Sequence, residues 1–126
     1  MPSQILPKTI KTVAFLKRKP GMSYAEFVAY YEGRHAPLIL ELAPQVCGYR
    51  RNYLQSEGAI LAPGASAPDF DVVTELYYAD RGAFDEAMRS FTEPSNAARI
   101  ASDEENLFDR SKTRFYVVEE RTSPIA

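Results

Sequence analysis

The only histidine of this chain, His35, lies in the stretch VAFLKRKPGMSYAEFVAYYEGRHAPLILELAPQVCGY at positions 13–49. An unperturbed imidazole titrates near ~6.5, so it can take or give a proton around neutrality. Among tyrosines and phenylalanines such a ring is a candidate acid–base centre. No other catalytic motif competes with it. There is no zinc or calcium ligand spacing, no phosphate-binding glycine loop and no dinucleotide turn. Two readings of His35 stand open. Its ring faces a cavity and moves protons, or it bonds a neighbouring carbonyl and locks a helix joint.

Tyr31 precedes His35 by one helical turn, so the two can share a face. Its phenol either donates to a substrate oxygen or orients the imidazole, unless it is a core aromatic with its hydroxyl at the surface. Phe27 and Tyr30 read as wall. Arg34 is a solvated helix-end cation or a grip for a carboxylate or phenolate. Tyr49, Tyr53, Tyr77, Tyr78 and Tyr116 place phenols on strands, where several must face a cavity or a subunit interface. Eight Tyr and seven Phe without Trp suit a flat, apolar, oxygenated ligand, although an aromatic core also accounts for most of them. Asp103, Glu104, Glu105 and Asp109 form an acidic cluster. It is either a solvated helix end or a source of one pocket carboxylate, and four acids alone do not make a metal site.

These residues need elements to position them. Residues 1–7 read as an irregular arm, and 8–19 as a first strand ending in the solvated run Lys17-Arg18-Lys19. Pro20-Gly21 is a turn. Ser23 and Glu26 have the spacing of a capping box, which starts a helix from about Tyr24 to Arg34. Pro37 lacks a backbone donor and disturbs that helix near His35, and it can open a second short helix over 38–42. Residues 47–56 read as a strand, and 57–69 as a long Gly/Pro/Ala loop that is either a mobile connector or a lid. Strand 70–79, helix 82–91, a helical stretch from Pro94 to about Asn106 and strand 112–120 complete the order β-α-β-β-α-β. That is the split βαβ pattern of a ferredoxin-like α+β sandwich.

The strands read as apolar on both parities. Val72, Leu76 and Tyr78 oppose Val73 and Tyr77, and Phe115 and Val117 oppose Tyr116 and Val118. Helices cover only one face of such a sheet, and leaving the other wet forgoes roughly 1.5–3 kcal/mol per side chain. A second copy of the chain, packed sheet to sheet about a two-fold axis, is the expected cover.

With 126 residues, 45% hydrophobic and 25% charged, the chain is expected to be a single domain, 1–126, with its core over about 8–121. A formal net charge of −2, with both signs mixed, gives no footprint for nucleic acid. No signal peptide and no apolar run of membrane-spanning length is visible. The lone Cys47 is expected to be a buried small hydrophobe, and a reducing cytoplasm the compartment.

The segment LKRKPGMSYAEFVAYYEGRHAPLILELAP, with Phe27, Tyr30, Tyr31 and the run His35-Ala36-Pro37-Leu38, resembles the EthD family of small dimeric α+β barrel proteins. Gly48-Tyr49-Arg50 follows at that family's usual place, and ARIASDEENLFDRSKTRFYVVEE is similar as well, with Asp103 and Phe108 before the last strand. The resemblance covers roughly residues 10–120. It implies a homodimeric barrel more than one reaction. Some relatives resemble dehydratases or cyclases acting on aromatic and polyketide-type molecules, and related barrel families include isomerases, monooxygenases and haem-degrading enzymes. The family pattern picks Asp103 from the acidic cluster.

The resulting expectation is a cofactor-independent lyase or dehydratase, isomerase or cyclase acting on a small aromatic or polyketide-like carbonyl compound. His35, Tyr31 and Asp103 would be its catalytic groups. Phe27, Tyr30, Arg34, Tyr49, Tyr78 and Phe108 would contact substrate. A cofactor-free oxygenase and a non-catalytic binding or accessory protein are the alternatives.

Overall fold

The helix that carries His35 begins where its capping residues dictate. In the computed structural model, which describes residues 9–125, the Glu26 amide donates to Ser23 Oγ and the Ser23 amide donates to Glu26 Oε1. Two otherwise orphaned amides are thereby satisfied. The irregular arm expected over 1–7 lies outside the described residues.

The order of elements is β1 (Ile10–Leu16), α1 (Tyr24–Tyr30), a π-helical turn (Tyr31–His35), α2 (Ala36–Leu42), β2 (Val46–Tyr53), β3 (Val72–Tyr78), α3 (Arg81–Thr92), α4 (Pro94–Glu104), a 3₁₀ turn (Arg110–Lys112) and β4 (Arg114–Val118). The four strands form one antiparallel sheet in the order β2-β3-β1-β4, the split βαβ arrangement of the ferredoxin-like fold. Strand ends fall inside the expected ranges, save that β2 starts one residue early at Val46.

The pleat sends alternate residues to opposite faces. Thr12, Ala14 and Leu16 of β1 and Val72, Thr74, Leu76 and Tyr78 of β3 are buried under the helices. One core cluster joins Leu16, Val72, Phe27, Tyr31, Leu107 and Phe108. A second joins Leu76 and Tyr78 to Phe84, Ala87 and Ala43. The C-terminal end of α4 is tied to the exit of β1. The Lys19 amide donates to the Leu107 carbonyl and the Asp109 amide to the Lys17 carbonyl, so Lys17-Arg18-Lys19 is anchored by its backbone.

Two expectations are corrected. Cys47 is exposed, because the register shift between Val46 and Gly48 lifts it out of the pairing with β3. The outer sheet face is not uniformly apolar. Lys11 pairs with Glu75 at 2.6 Å and Asn52 donates to Glu75, so a polar ladder crosses three strands between the half-buried Val13, Phe15, Val73 and Tyr77. The 57–69 loop lies on the surface with Ile60 and Leu61 exposed. Among the described residues no helix is long and apolar enough to cross a membrane.

Leu107 has no exposed surface in the first cluster. Leu107→Ala is therefore expected to cost about 2–5 kcal/mol in urea unfolding, and a loss below about 0.5 kcal/mol would deny it a core role. We also propose that a second copy of the chain covers the outer face, where Tyr116 stays half exposed beside Phe15. Sedimentation velocity at micromolar concentration should give a dimer that Val73→Asp converts to monomer, and a wild-type monomer would overturn this.

Candidate active site

Pro37 shapes the place where His35 stands. Its ring would clash with the carbonyl of Gly33 in a regular helix, and it has no amide to bond there. The disturbance expected there takes the form of a widened turn, followed by the expected second short helix. The Ala36 amide donates to the Tyr31 carbonyl, a five-residue step, and the helix continues into α2. Gly33 adds no side chain to the widened turn, and a Cβ there would meet nothing within 4 Å. Single π-turns inside helices recur at functional sites.

Within this turn Tyr31 and His35 both point inward and are buried, their rings edge to face at 5.0 Å. Phe108 packs behind both, 5.2 Å from His35 and 5.8 Å from Tyr31. His35 Nδ1 lies 2.6 Å from Asp103 Oδ2 at the end of α4. Tyr30 donates to the other carboxylate oxygen, Oδ1, at 2.9 Å. An ionised carboxylate only accepts, so Nδ1 carries the hydrogen of this bond, and whenever the ring is neutral Nε2 carries the lone pair. Nε2 has no hydrogen-bond partner among the described residues. Asp103 and Tyr30 line an open groove with Leu38 and Asn106, whereas His35 lines a different, more enclosed cavity. The ring thus stands between the two, braced from outside and presented inside.

That inner cavity measures about 300 Å³ and lies between the sheet and the helices. Leu16, Ile39, Leu76, Phe91, Ile100 and Phe115 give it apolar walls. Its polar groups are few. Tyr49 donates to the Tyr31 hydroxyl at 3.1 Å, and Tyr31 shares a 2.7 Å hydrogen bond with Thr74 Oγ1. Three hydroxyls make two bonds among themselves, so one O–H proton is spare. All three residues line the cavity, which makes that proton a donor to a ligand oxygen. Burial raises the phenol titrations of Tyr31 and Tyr49 above the ordinary value and keeps both protonated. Glu104, Arg110 and Thr113 also line it. Among the described residues no group of three His, Cys, Asp or Glu side chains could hold a metal ion.

The structure gathers His35, Tyr31 and Tyr49 at the cavity, with Asp103 and Tyr30 as the outer brace. The other expected contacts stand elsewhere. Phe27 is fully buried in the first core cluster, Phe108 supports the His35 ring from behind, and Tyr78 packs on Phe84 in the second cluster. Arg34 is exposed on a shallow surface groove. Thr74, Glu104 and Arg110 escaped sequence reasoning as individual site residues. Thr74 alone carried a legible signal, a hydroxyl at an inward position of an otherwise apolar strand.

The family model described as "EthD domain" matches residues 19–111. No curated protein sequence matches the chain. Among solved structures, an EthD family protein from Bacillus halodurans C-125 is 20% identical over 89% of this chain and 98% of its own, with a TM-score of 0.60. SnoaB, a cofactor-independent oxygenase from Streptomyces nogalater, is 14% identical over 92% of this chain and 96% of its own, with a TM-score of 0.57. A hydroxynitrile lyase from Passiflora edulis is 18% identical over 94% of this chain and 100% of its own, with a TM-score of 0.54. At these identities the structures share a fold, while the family model spans most of the chain: this protein belongs to the EthD domain family.

Proposed function

We propose that the protein is a cofactor-independent acid–base enzyme acting on a small aromatic or polyketide-like carbonyl compound. The observation that carries the reading is the 2.6 Å bond from His35 Nδ1 to Asp103, made by a ring whose other edge borders an apolar cavity. A cavity of about 300 Å³ is at the small end for ligand sites, which span roughly 300–1,000 Å³. It suits one or two rings.

A carbonyl group acidifies the neighbouring C–H bond. His35 Nε2 takes that proton, the C–H electron pair moves toward the carbonyl oxygen, and the spare O–H of the Tyr49–Tyr31–Thr74 chain donates to the resulting enolate oxygen. Asp103 stabilises the imidazolium that forms, and Tyr30 holds Asp103 against rotation. Return of the proton to another carbon gives an isomer, and attack of the enolate on a second carbonyl gives a ring.

Benzylacetone is a ketone of suitable size, and its α-hydrogen exchange in deuterium oxide can be followed by NMR. The protein should accelerate the exchange, His35→Ala should lower the rate by roughly 10²–10⁴-fold, and Asp103→Asn should lower it by a smaller factor of about 10-fold or more. Equal exchange in wild type and His35→Ala would remove the reading. A ketone that binds to this cavity without faster exchange would identify a binding protein instead.

The fold shared with SnoaB favours a second reading, in which the deprotonated, electron-rich substrate reacts directly with molecular oxygen in the apolar cavity. An oxygen electrode separates the two. Oxygen uptake matching the loss of an anthrone-type substrate supports the oxygenase, and substrate loss without uptake excludes it.

A further inference from the structure

Glu104 has no part in the proton abstraction described above, yet it borders the same cavity. Ala97, Ile100 and Glu104 follow one another on α4 by steps of three and four residues, which return to one helix face, and all three line the cavity. Asp103 is one residue earlier, turned by about 100°, and meets His35 from the outer side. The helix thereby gives two adjacent carboxylates to opposite sides of one imidazole.

The surroundings of Glu104 are those of a proton donor. Its side chain is 20% exposed, and among the described residues it pairs with Arg110 Nε at 3.3 Å, a residue 51% exposed at the cavity rim. Burial raises the Glu104 carboxyl above the usual carboxylate range; the charges of His35 and Arg110 oppose this and that of Asp103 adds to it. The carbonyl end of a substrate already has its donor in the Tyr31–Thr74 pair. A second acid has work to do only where a second bond breaks. Hydroxide is a poor leaving group, and in a cavity lined mainly by apolar side chains its departure calls for a proton donor.

We propose that Glu104 is the second proton-transfer group of this cavity, a carboxylic acid that protonates a departing hydroxyl, and that the substrate class is a β-hydroxy carbonyl compound. The proposal rests on the reading of His35 as base. His35 Nε2 takes the proton from the α-carbon, that electron pair becomes the new C=C bond, and the C–O bond at the β-carbon breaks. Glu104 gives its proton to the leaving oxygen, so the products are an α,β-unsaturated carbonyl compound and water. No electrons are gained or lost. The proton held by His35 then passes through the released water to the Glu104 carboxylate, which resets both groups.

The probe is the aldol of benzaldehyde with acetone, whose dehydration to benzylideneacetone is followed by ultraviolet absorbance. It is run beside the hydrogen exchange of benzylacetone, which has the same skeleton without the hydroxyl. Glu104→Gln should lower dehydration by roughly 10²-fold more than it lowers exchange, Glu104→Asp should recover part of that difference, and an equal loss in both reactions overturns the proposal. The wild-type dehydration rate should fall as pH rises through the raised Glu104 titration, because the protonated acid is the active form, and Glu104→Gln should lack that fall. Unchanged dehydration in Glu104→Gln overturns the proposal. So does a wild-type protein that exchanges benzylacetone but leaves the aldol intact. Absence of exchange in the wild type overturns the His35 reading, and this one with it.

Discussion

The hydrogen bond between His35 Nδ1 and Asp103 Oδ2 spans 68 positions of sequence and fixes both helical halves of the molecule around one ring. On one side it sets the tautomer of the imidazole. On the other it sets the rotation of α4 about its axis, since Asp103 can meet His35 only if Glu104, Ile100 and Ala97 turn to the cavity. Tyr30 completes the brace from the first helix by holding the second carboxylate oxygen. A buried imidazole without such a partner would leave a polar hydrogen unsatisfied, at a cost of about 1–3 kcal/mol. The bond therefore serves packing and chemistry together.

The cavity owes its character to what surrounds this bond. Aliphatic and aromatic side chains from the sheet and from α2, α3 and α4 make its lining mainly apolar, and a small number of polar groups enter at defined points. Burial keeps the Tyr31 and Tyr49 phenols protonated, so they act as donors rather than as bases. The π-turn holds Tyr31 and His35 edge to face without interrupting the helix. A continuous helix is a stiffer platform than a joint between two short ones, because its backbone hydrogen bonds persist through the turn.

A ferredoxin-like sandwich by itself selects no reaction. The solved structures that share this fold include an oxygenase and a lyase, and both classes suit an enclosed space between sheet and helices. The arrangement of side chains in that space distinguishes one member from another. In this chain that space holds one braced imidazole, one chain of hydroxyls and one partly buried carboxyl paired with an arginine at the rim.

The order of elements was legible because each carried a local signal. The Ser23–Glu26 capping box, the Pro20-Gly21 turn and the apolar run 72–78 depend on neighbours a few residues away. His35 was legible as the only imidazole, and Pro37 as a disturbance beside it. The disturbance proved to be a widened turn rather than a joint, since a missing amide shows where a helix must change but not how. Cys47 illustrates a different limit. Its exposure follows from a register shift against β3, which is a property of two strands and not of one.

What the sequence determined by itself was therefore the set of elements, their order and the residue types capable of proton transfer, all consequences of covalent geometry and short-range hydrogen bonding. Which carboxylate braces His35 and which faces the cavity, that Thr74 joins Tyr31 and Tyr49, and that Lys11, Glu75 and Asn52 cross the outer face as a ladder were decided only in the tertiary structure. Those relations join residues far apart in the chain, and each depends on helix rotation and strand register, which are fixed when the whole core packs at once.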